Sequence, residues 1–209
     1  MRHGVYLVQQ GLAELGYDPG PLDGVYGPKT SAAIMAAGVA GFAPKSAVVE
    51  LPWITHGLTA LGWHEVTDKA KLQAWLKSGG KALGDPAALP WCGDFVETAM
   101  ALALPGERLP ENPFFAQNWA TFGAVTAPTR GAVVAFKWSA SSGHVGFLMG
   151  QHGANYVVLG GNQSNRVSIA EFPKSAAIAT RWPSSFPSRP INLPEMTASE
   201  VITGIAATR

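Results

Sequence analysis

The order in which two textures of sequence follow each other constrains this fold most. Up to about residue 104, apolar residues recur three and four positions apart, as on one face of a helix. The helical segments of the region after residue 50 lie at roughly 52–61, at 67–78 and around Cys92. Short β-rich runs separated by Gly, Ser and Asn then take over, at 132–138, 144–149, 156–159 and 167–169. Helices first and strands afterwards predict an α+β domain, with helices packed on an antiparallel sheet.

A small helical module precedes this domain. The stretch VYLVQQGLAELGY has apolar residues at near-helical spacing, and Gly16 is suited to end that helix. The loop YDPGPLDGVYG is rich in Pro, Gly and Asp, and GPKTSAAIMAA then resumes helical character. Asp18 and Asp23 favour turns in such a loop, and they offer fewer oxygen ligands than a calcium loop requires. A helix, a loop and a second helix are too small for much of a core of their own.

We expect three parts along the chain. The helical module would occupy residues 1–45 and the α+β domain residues 50–186. Residues 187–209 are rich in proline and then weakly helical, and they are interpreted as a C-terminal extension outside the core.

Composition excludes several classes of partner. Lys and Arg number 15 against 14 Asp and Glu, so there is no basic field for a polyanion and we expect no nucleic acid partner. One cysteine and scattered histidines lack the spacing of metal ligands, so we expect no metal and no cofactor. The most apolar run, IMAAGVAGFA, is about half the length of a membrane span, and MRHGVYLVQQ turns polar too early for a signal peptide. The prediction is a chain made in the cytoplasm, without membrane insertion or its own export signal.

Cys92 is the first candidate for chemistry. Pro90 suits a helix entrance, and apolar residues follow Cys92 at helical spacing, so the thiol is predicted in the first turn of a helix. Unpaired backbone N–H groups and the helix dipole would favour a thiolate there. The alternative is packing, because free cysteines are often buried.

A thiol nucleophile needs a base, and the base needs a polar partner that orients it. His144 heads an apolar strand, and Asn162 follows the next strand after two glycines that permit a tight turn. In an antiparallel sheet the start of one strand lies beside the end of the next, so His144 and Asn162 can be neighbours with the Cys92 helix packed on the sheet. Gln163 is the alternative to Asn162, because the sequence does not fix the strand phase; we favour Asn162.

Four other side chains are considered near this site. Trp91 and Trp119 are large aromatics of the kind that line sugar-binding clefts, with core packing as the alternative. Glu65, together with His64, follows a glycine at a helix end and is a candidate for the cleft border, with a structural role as the alternative. Asp94 is interpreted as a charge in the first helical turn that complements the dipole.

The N-terminal pattern resembles the peptidoglycan-binding domain found beside many cell-wall hydrolases. The matching stretches are Val8-Gln9, Leu12, Leu15-Gly16-Tyr17, Gly20, Asp23-Gly24, Tyr26-Gly27, Thr30 and Ala33-Ile34. The chain departs from the family afterwards, where MAAGVAGFAPKSAV stands in place of a Phe-Gln and a third helix. The resemblance implies a trimmed module with peptidoglycan as its partner.

Four stretches of the second domain, in this order, resemble the CHAP and NlpC-type peptidoglycan hydrolases, which share a papain-like core. They are Pro52-Trp53 with the following Leu-Gly and Glu, then PWCGDFV, GHVGF and LGGNQSN, and a phage-associated subgroup is most similar. The resemblance covers about residues 51–183. It implies Cys92 as nucleophile, His144 as base and Asn162 as the residue that orients the ring, with the Cys92 N–H as a candidate oxyanion donor.

The leading hypothesis is therefore a cysteine amidase or endopeptidase that cleaves an amide of the peptidoglycan stem peptide or cross-link. It would act at the cell wall or periplasm, as a released phage lysin or carried by phage tail or injection-machine proteins. The alternative is a catalytically silent wall-binding or tail structural protein with the same fold. A metal-dependent hydrolase on the same polymer is a third, weaker hypothesis.

Overall fold

The computed structural model describes residues 3–39, 51–188 and 192–207. By its internal contacts the chain divides into two units, residues 1–49 and residues 50–209, and each is described by itself. The segment from residue 192 onwards, interpreted above as part of an extension, groups with the second unit. Within the described ranges no helix is long and apolar enough to cross a lipid bilayer.

Two helices form the N-terminal unit, as predicted. They are α1 (His3–Glu14) and α2 (Pro28–Val39). Gly16 follows α1 with φ of 83°, and its N–H donates to the Ala13 carbonyl at 2.9 Å. The Tyr17 N–H donates to the Leu12 carbonyl, also at 2.9 Å. This pair of bonds is the Schellman arrangement, which needs a residue in the left-handed region and explains the glycine.

The core of this unit is small, and one buried side chain fastens the loop to α1. The buried apolar residues are Leu12, Tyr17, Ala33 and Ala37, with Leu15 and Ile34 packed against them. The Gln9 amide donates to Asp23 Oδ1 at 3.1 Å and to Thr30 Oγ1 at 3.2 Å, and its oxygen accepts the Gly24 N–H at 2.8 Å. Gln9 is buried, so these bonds are shielded from water and hold the loop in place.

The two loop aspartates make turns, as predicted. Asp18 Oδ1 accepts the Gly20 N–H at 2.9 Å, and Asp23 Oδ1 accepts the Val25 N–H at 2.9 Å. In both cases the carboxylate bonds a backbone group two residues on, which is the usual turn chemistry of aspartate.

Three helices open the second unit, and they correspond to the predicted segments. They are α3 (Pro52–Thr59), α4 (Lys69–Ser78) and α5 (Cys92–Ala103). α5 lies in the interior, since its residues from Cys92 to Met100 are all buried. A Cβ on Gly57 of α3 would lie 3.0 Å from the Phe95 ring, so the two helices pack at close range there.

The sheet is antiparallel, as predicted, with more strands than expected. The strands are β1 (Ala124–Val125), β2 (Val133–Lys137), β3 (Gly143–His152), β4 (Asn155–Gly160), β5 (Ser168–Pro173) and β6 (Ala177–Trp182), in the order β1-β6-β2-β3-β4-β5. β2 to β5 correspond to the four predicted runs. β1 and β6 were not predicted, because β1 has only two residues and β6 lacks a fully buried face that would give its sequence a clear alternation.

The sheet must curl, because a short connection joins strands from opposite sides. In a flat sheet, β5 and β6 would be four strand spacings apart, or about 19 Å. Only residues 174–176 separate them in sequence, and four steps of extended chain span at most about 14 Å. The curl brings Phe172 at the end of β5 to the aromatic residues of β2, with its ring 5.4 Å from that of Phe136.

The C-terminal segment packs on the far end of β3. The Met196 N–H donates to the Gln151 carbonyl and the Gln151 N–H to the Pro194 carbonyl, each at 2.8 Å. α6 (Ala198–Ala207) follows, and its Val201 side chain is buried. The segment thus adds a short stretch of backbone pairing to the sheet.

Candidate active site

Cys92 is the first residue of α5, as predicted, and its sulfur faces the beginning of β3. The backbone N–H of Val145, the residue after His144, lies near the Cys92 sulfur and favours its thiolate form. The N–H groups of Cys92 and Gly93, in the first helical turn, also point toward the sulfur. The helix therefore delivers the thiol to the strand end that carries the imidazole.

His144 lies near the start of β3 and bonds the turn after β4. Its Nε2 is 3.0 Å from Gln163 Oε1, and both side chains are buried. Phe147 pairs with Leu159 across β3 and β4, so the beginning of β3 lies beside the end of β4, as the antiparallel order predicts. The imidazole also stacks on Phe172, with ring centroids 4.7 Å apart.

The neighbours of Gln163 determine which ring nitrogen of His144 carries the proton. The Gln163 amide nitrogen donates to the Ser168 carbonyl at 2.6 Å and to Ser168 Oγ at 3.1 Å. A carbonyl can only accept, so the NH₂ group lies on that side and Oε1 faces the ring. Nε2 must then be the protonated nitrogen, which leaves Nδ1 of His144 free to accept a proton.

The partner of the imidazole is thus Gln163, and our preference for Asn162 is corrected. Asn162 lies in the left-handed region with φ of 56°, in a turn where Ser164 and Asn165 also have positive φ. This backbone course directs the residue after Asn162 inward, so Gln163 reaches the ring while Asn162 stays at the surface of the cleft. The sequence alone could not show which of the two side chains faces the imidazole, because that depends on how many residues the turn contains.

The two glycines before Asn162, which we expected to permit a tight turn, allow close packing of the chain against α5. Neither Gly160 nor Gly161 has a positive φ. A Cβ on Gly161 would lie 2.5 Å from the Trp91 ring and 2.6 Å from the Phe95 Cβ. The turn therefore lies directly against the start of α5, and this close approach brings the Gln163 segment and Cys92 together.

Burial keeps both reactive groups neutral. It raises the pKa of the Cys92 thiol, while the backbone N–H groups of Val145 and Gly93 lower it by less. Burial also lowers the pKa of His144 to about 4, against a smaller opposite effect of the bond to Gln163. The resting pair at pH 7 is a thiol and a neutral imidazole. This corrects the expected thiolate, since lost solvation outweighs the helix N-terminus.

Cys92 and His144 line one cleft of about 390 Å³. The other lining residues are Pro90, Trp138, Gly143, Asn162, Gln163, Ser164, Ala170, Glu171 and Phe172. A larger cleft of about 750 Å³ lies at the other end of α5, around residues 106–111. It contains neither the thiol nor the imidazole, so the smaller cleft is the one that combines the candidate nucleophile and base.

Two aromatic residues of this cleft were missed by the sequence analysis. Trp138 stacks on Phe136 with centroids 5.7 Å apart and planes at 15°, and Phe172 lies 6.2 Å from the Trp138 ring. Trp138 directly follows β2 and comes two residues after Phe136. Side chains two residues apart point to the same face of a strand, so this spacing could have indicated that the two rings lie together. Phe172 gave no such signal, because the curl of the sheet places it.

The structure places the other predicted substrate contacts inside the protein. Trp91 and Trp119 are 1% and 0% exposed. The Trp91 indole N–H donates to Glu65 Oε2 at 2.9 Å, and that of Trp119 to the Pro113 carbonyl at 2.8 Å. None of the three predicted residues Trp91, Trp119 and Glu65 lines the cleft, and their contacts are those of core packing.

Two buried carboxyl groups lie on α5, the helix that begins at Cys92. Asp94 is in the first turn of α5, as predicted, but it is 1% exposed and accepts the Leu83 N–H at 2.9 Å. Burial raises its pKa to about 6. Glu97, one turn further and 3% exposed, has a pKa raised to about 7 by burial and by the charge of Asp94. One oxygen of each is buried without a hydrogen-bond partner.

The remaining described histidines do not line the cleft. His152 is exposed, and its Nδ1 is 3.3 Å from Glu171 Oε2. His64 forms an isolated backbone bridge with Arg166, and its Nδ1 accepts the Val66 N–H at 3.1 Å. In the part of the chain that the structure describes, no three His, Cys, Asp or Glu side chains converge in a way that could hold a metal ion.

Comparison with known proteins supports a function for the N-terminal unit. Residues 2–37 of the 209 match the peptidoglycan binding domain family, a range that includes α1, the loop and most of α2. No curated protein and no solved structure matches the chain. The match supports a peptidoglycan-binding module at the N-terminus and peptidoglycan as a partner.

Proposed function

We propose that the second unit is a cysteine hydrolase that cleaves an amide bond of peptidoglycan, and that the N-terminal module brings it to the wall. Cys92 is the nucleophile, His144 the base and Gln163 the residue that orients the imidazole. The main support is the hydrogen bond from His144 to Gln163, because it leaves Nδ1 as a proton acceptor in the cleft that Cys92 also lines. Two parts of one chain then act on the same polymer.

The reaction would start from the neutral pair. His144 Nδ1 accepts the thiol proton as Sγ adds to the amide carbonyl, so that thiolate and imidazolium form only when substrate is in place. The N–H of Cys92, at the helix start, would donate to the oxyanion. The imidazolium then protonates the leaving amine, and water hydrolyses the thioester. A pKa of about 4 keeps His144 unprotonated at pH 7, which this order of steps requires.

The N-terminal module supports an activity at the bacterial cell wall. A phage origin, as a released lysin or an enzyme carried by a tail or injection device, fits the sequence resemblance to the phage-associated hydrolases. The papain-like classification of the core rests on the same resemblance. These are proposals about the biological context and do not change the chemistry of the cleft.

The test is hydrolysis of purified peptidoglycan by full-length protein and by Cys92→Ala. We expect the substitution to lower the rate of turbidity loss by at least about 10³-fold, because it removes the nucleophile. Sedimentation with insoluble peptidoglycan, which measures wall binding, should be the same for both proteins.

Two outcomes would contradict this function. Equal clearing by wild type and Cys92→Ala would exclude the cysteine mechanism and would favour a metal-dependent hydrolase, which a chelator would inhibit. Binding without clearing by either protein would favour the silent wall-binding protein. Cys92→Ser is the matched control for folding, since it keeps the shape of the side chain and should also be inactive.

A further inference from the structure

Trp138 presents an exposed indole ring beside the candidate nucleophile. It is 47% exposed and lines the same cleft as Cys92 and His144. A single exposed apolar side chain on a protein surface needs no explanation. An exposed tryptophan inside a cleft that also holds a thiol and an imidazole is different, because it adds a flat apolar surface where a substrate must lie.

The indole is held in place before any ligand arrives. One side stacks on the buried ring of Phe136, and Phe172 flanks it. The backbone N–H of Trp138 donates to the Ser142 carbonyl at 3.0 Å, which closes the hairpin turn. The Gln117 amide fixes that turn by donating to the Ser142 carbonyl at 3.1 Å and to the Ser139 carbonyl at 2.8 Å. A ligand that stacks on Trp138 therefore loses little free energy to ordering the protein.

The charge of the lining residues indicates what stacks there. Glu171 is the only charged residue among them, and its oxygens bond His152, Asn155 and the Ala198 N–H. The lining thus offers no cation to a carboxylate. Peptidoglycan stem peptides carry free carboxylates, whereas the N-acetylated sugars are neutral once the lactyl group is in amide linkage. A neutral ring with an apolar C–H face matches an indole in a cleft whose lining offers no cation.

We infer that Trp138 is a sugar platform, on which the N-acetylmuramic acid ring stacks and places its lactyl amide at Cys92. This deepens the proposed function and rests on it, since it identifies the amide as the one between the lactyl group and the first residue of the stem peptide. Sγ adds to the lactyl carbonyl carbon, and the C–N bond breaks. The amine of the stem peptide leaves with the proton from His144, and water converts the lactyl thioester into a free carboxylic acid and restores the thiol.

The first test measures binding to full-length Cys92→Ala, which keeps the cleft and does not consume the ligand. The probes are a soluble disaccharide-pentapeptide and the same pentapeptide without sugar, followed by calorimetry. Adding Trp138→Ala should weaken binding of the disaccharide-pentapeptide about tenfold, because the stacking surface is lost. Trp138→Phe should retain most of the affinity. The sugar-free peptide should bind weakly and equally to all of these proteins.

Trp63→Ala in the same background is the matched control. Trp63 is a partly exposed tryptophan that Lys71 covers at 4.9 Å, and it does not line the cleft. Its removal should leave both affinities unchanged. An unchanged affinity in Trp138→Ala, or an equal loss with the sugar-free peptide, would overturn the sugar platform. Thermal melting checks that Trp138→Ala is folded, and Trp138→Phe provides the test if it is not.

The second test is mass spectrometry of peptidoglycan digested by the wild type. Glycan chains with free lactyl acids, together with complete stem peptides, are the expected products. Stem fragments that remain attached to glycan would overturn the assignment of the bond while leaving the Cys92 mechanism standing. An inert wild type would overturn the bond assignment along with the proposed function. A dependence of muropeptide binding on Trp138 would then still support the platform.

Discussion

The two units of this chain build their functional surfaces in different ways. The N-terminal module is held by contacts between residues close in sequence, with Gln9 bonding a loop that begins only a few residues after its own helix. The candidate active site joins residues far apart, since Cys92, His144 and Gln163 lie on a helix, a strand and a turn. The module therefore depends on local hydrogen bonds, and the site depends on how closely a helix and a sheet pack.

Each unit is therefore sensitive to a different kind of substitution. The core of the module contains few large side chains, so its loop network carries much of its stability. The second unit is filled by buried tryptophan and phenylalanine rings, and its site is sensitive to anything that separates α5 from the turn after β4. All seven tryptophans follow residue 50, so tryptophan emission reports the unfolding of the second unit alone.

The largest effect we expect is on catalysis in Gln163→Ala. Without the amide oxygen, the imidazole of His144 is no longer fixed in its tautomer and orientation, and kcat should fall by about 10²-fold with little change in KM. Asn162→Gly is the matched control, because glycine accepts the positive φ of that position and removes only the side chain. A larger loss in Asn162→Gly than in Gln163→Ala would return the third role to Asn162.

A second prediction concerns the contact of the turn with α5. Gly161→Ala would force a Cβ against Trp91 and Phe95, and the free energy of unfolding of the second unit should fall by about 1 to 3 kcal/mol. Tryptophan emission during urea titration measures it, and activity should fall as well. Gly106→Ala, where a Cβ would meet no atom within 4 Å, should change neither quantity. Equal stability of the two variants would mean that the close approach is unimportant.

A third prediction concerns a substitution that destabilises the N-terminal module and leaves the candidate active site unchanged. Gln9→Ala leaves the Gly24 N–H without its buried partner and removes the bond to the Thr30 hydroxyl, and it should destabilise the module by about 1 to 3 kcal/mol. Sedimentation with insoluble peptidoglycan should show weaker binding, while the tryptophan transition stays where it was. Met35→Ala, at an exposed position of α2, is the control and should bind as the wild type does. A shift of the tryptophan transition in Gln9→Ala would contradict this separation.

A fourth prediction is a pH dependence of stability from Asp94 and Glu97. Burial raises the pKa values of these carboxyl groups to about 6 and about 7, so the folded state favours their protonated forms. Protonation of the two carboxyl groups makes its full contribution to the free energy of unfolding below about pH 4. This contribution is lost as pH rises through the two raised pKa values. Relative to wild type, Asp94→Asn/Glu97→Gln should therefore gain on the order of 2 kcal/mol between pH 4.5 and pH 8.

Urea titrations of that pair of proteins at several pH values, followed by tryptophan emission, measure the gain. The comparison with wild type is needed because titration of His144 changes the free energy of unfolding with pH in the opposite direction. Its pKa is lowered to about 4, so its contribution is present above pH 6.5 and is lost as pH falls toward 4. Ser141→Ala, at an exposed position without a titrating side chain, is the control and should give a constant difference from wild type. A constant difference in the double variant would contradict the prediction.

The local elements and the reactive residue types could be predicted from the sequence. Periodicity predicted five helices and four strands, because helical and strand repeats are properties of neighbouring residues. The position of Cys92 in a first helical turn and the adjacency of His144 to the end of β4 followed from the same periodicity and from antiparallel order. The N-terminal module was recognisable from its motif, since its turns and its helix end are formed by residues close in sequence.

Which side chains face the cleft could not be predicted from the sequence, because it depends on the packing of distant elements. The choice of Gln163 over Asn162 depended on left-handed residues in a turn, and the burial of Trp91 depended on the close approach of Gly161. Trp138 and Phe172 meet because the sheet curls, which is a consequence of the short link between β5 and β6. Side-chain direction and solvent exposure are set by packing between distant elements, and a linear pattern of residue types does not contain them.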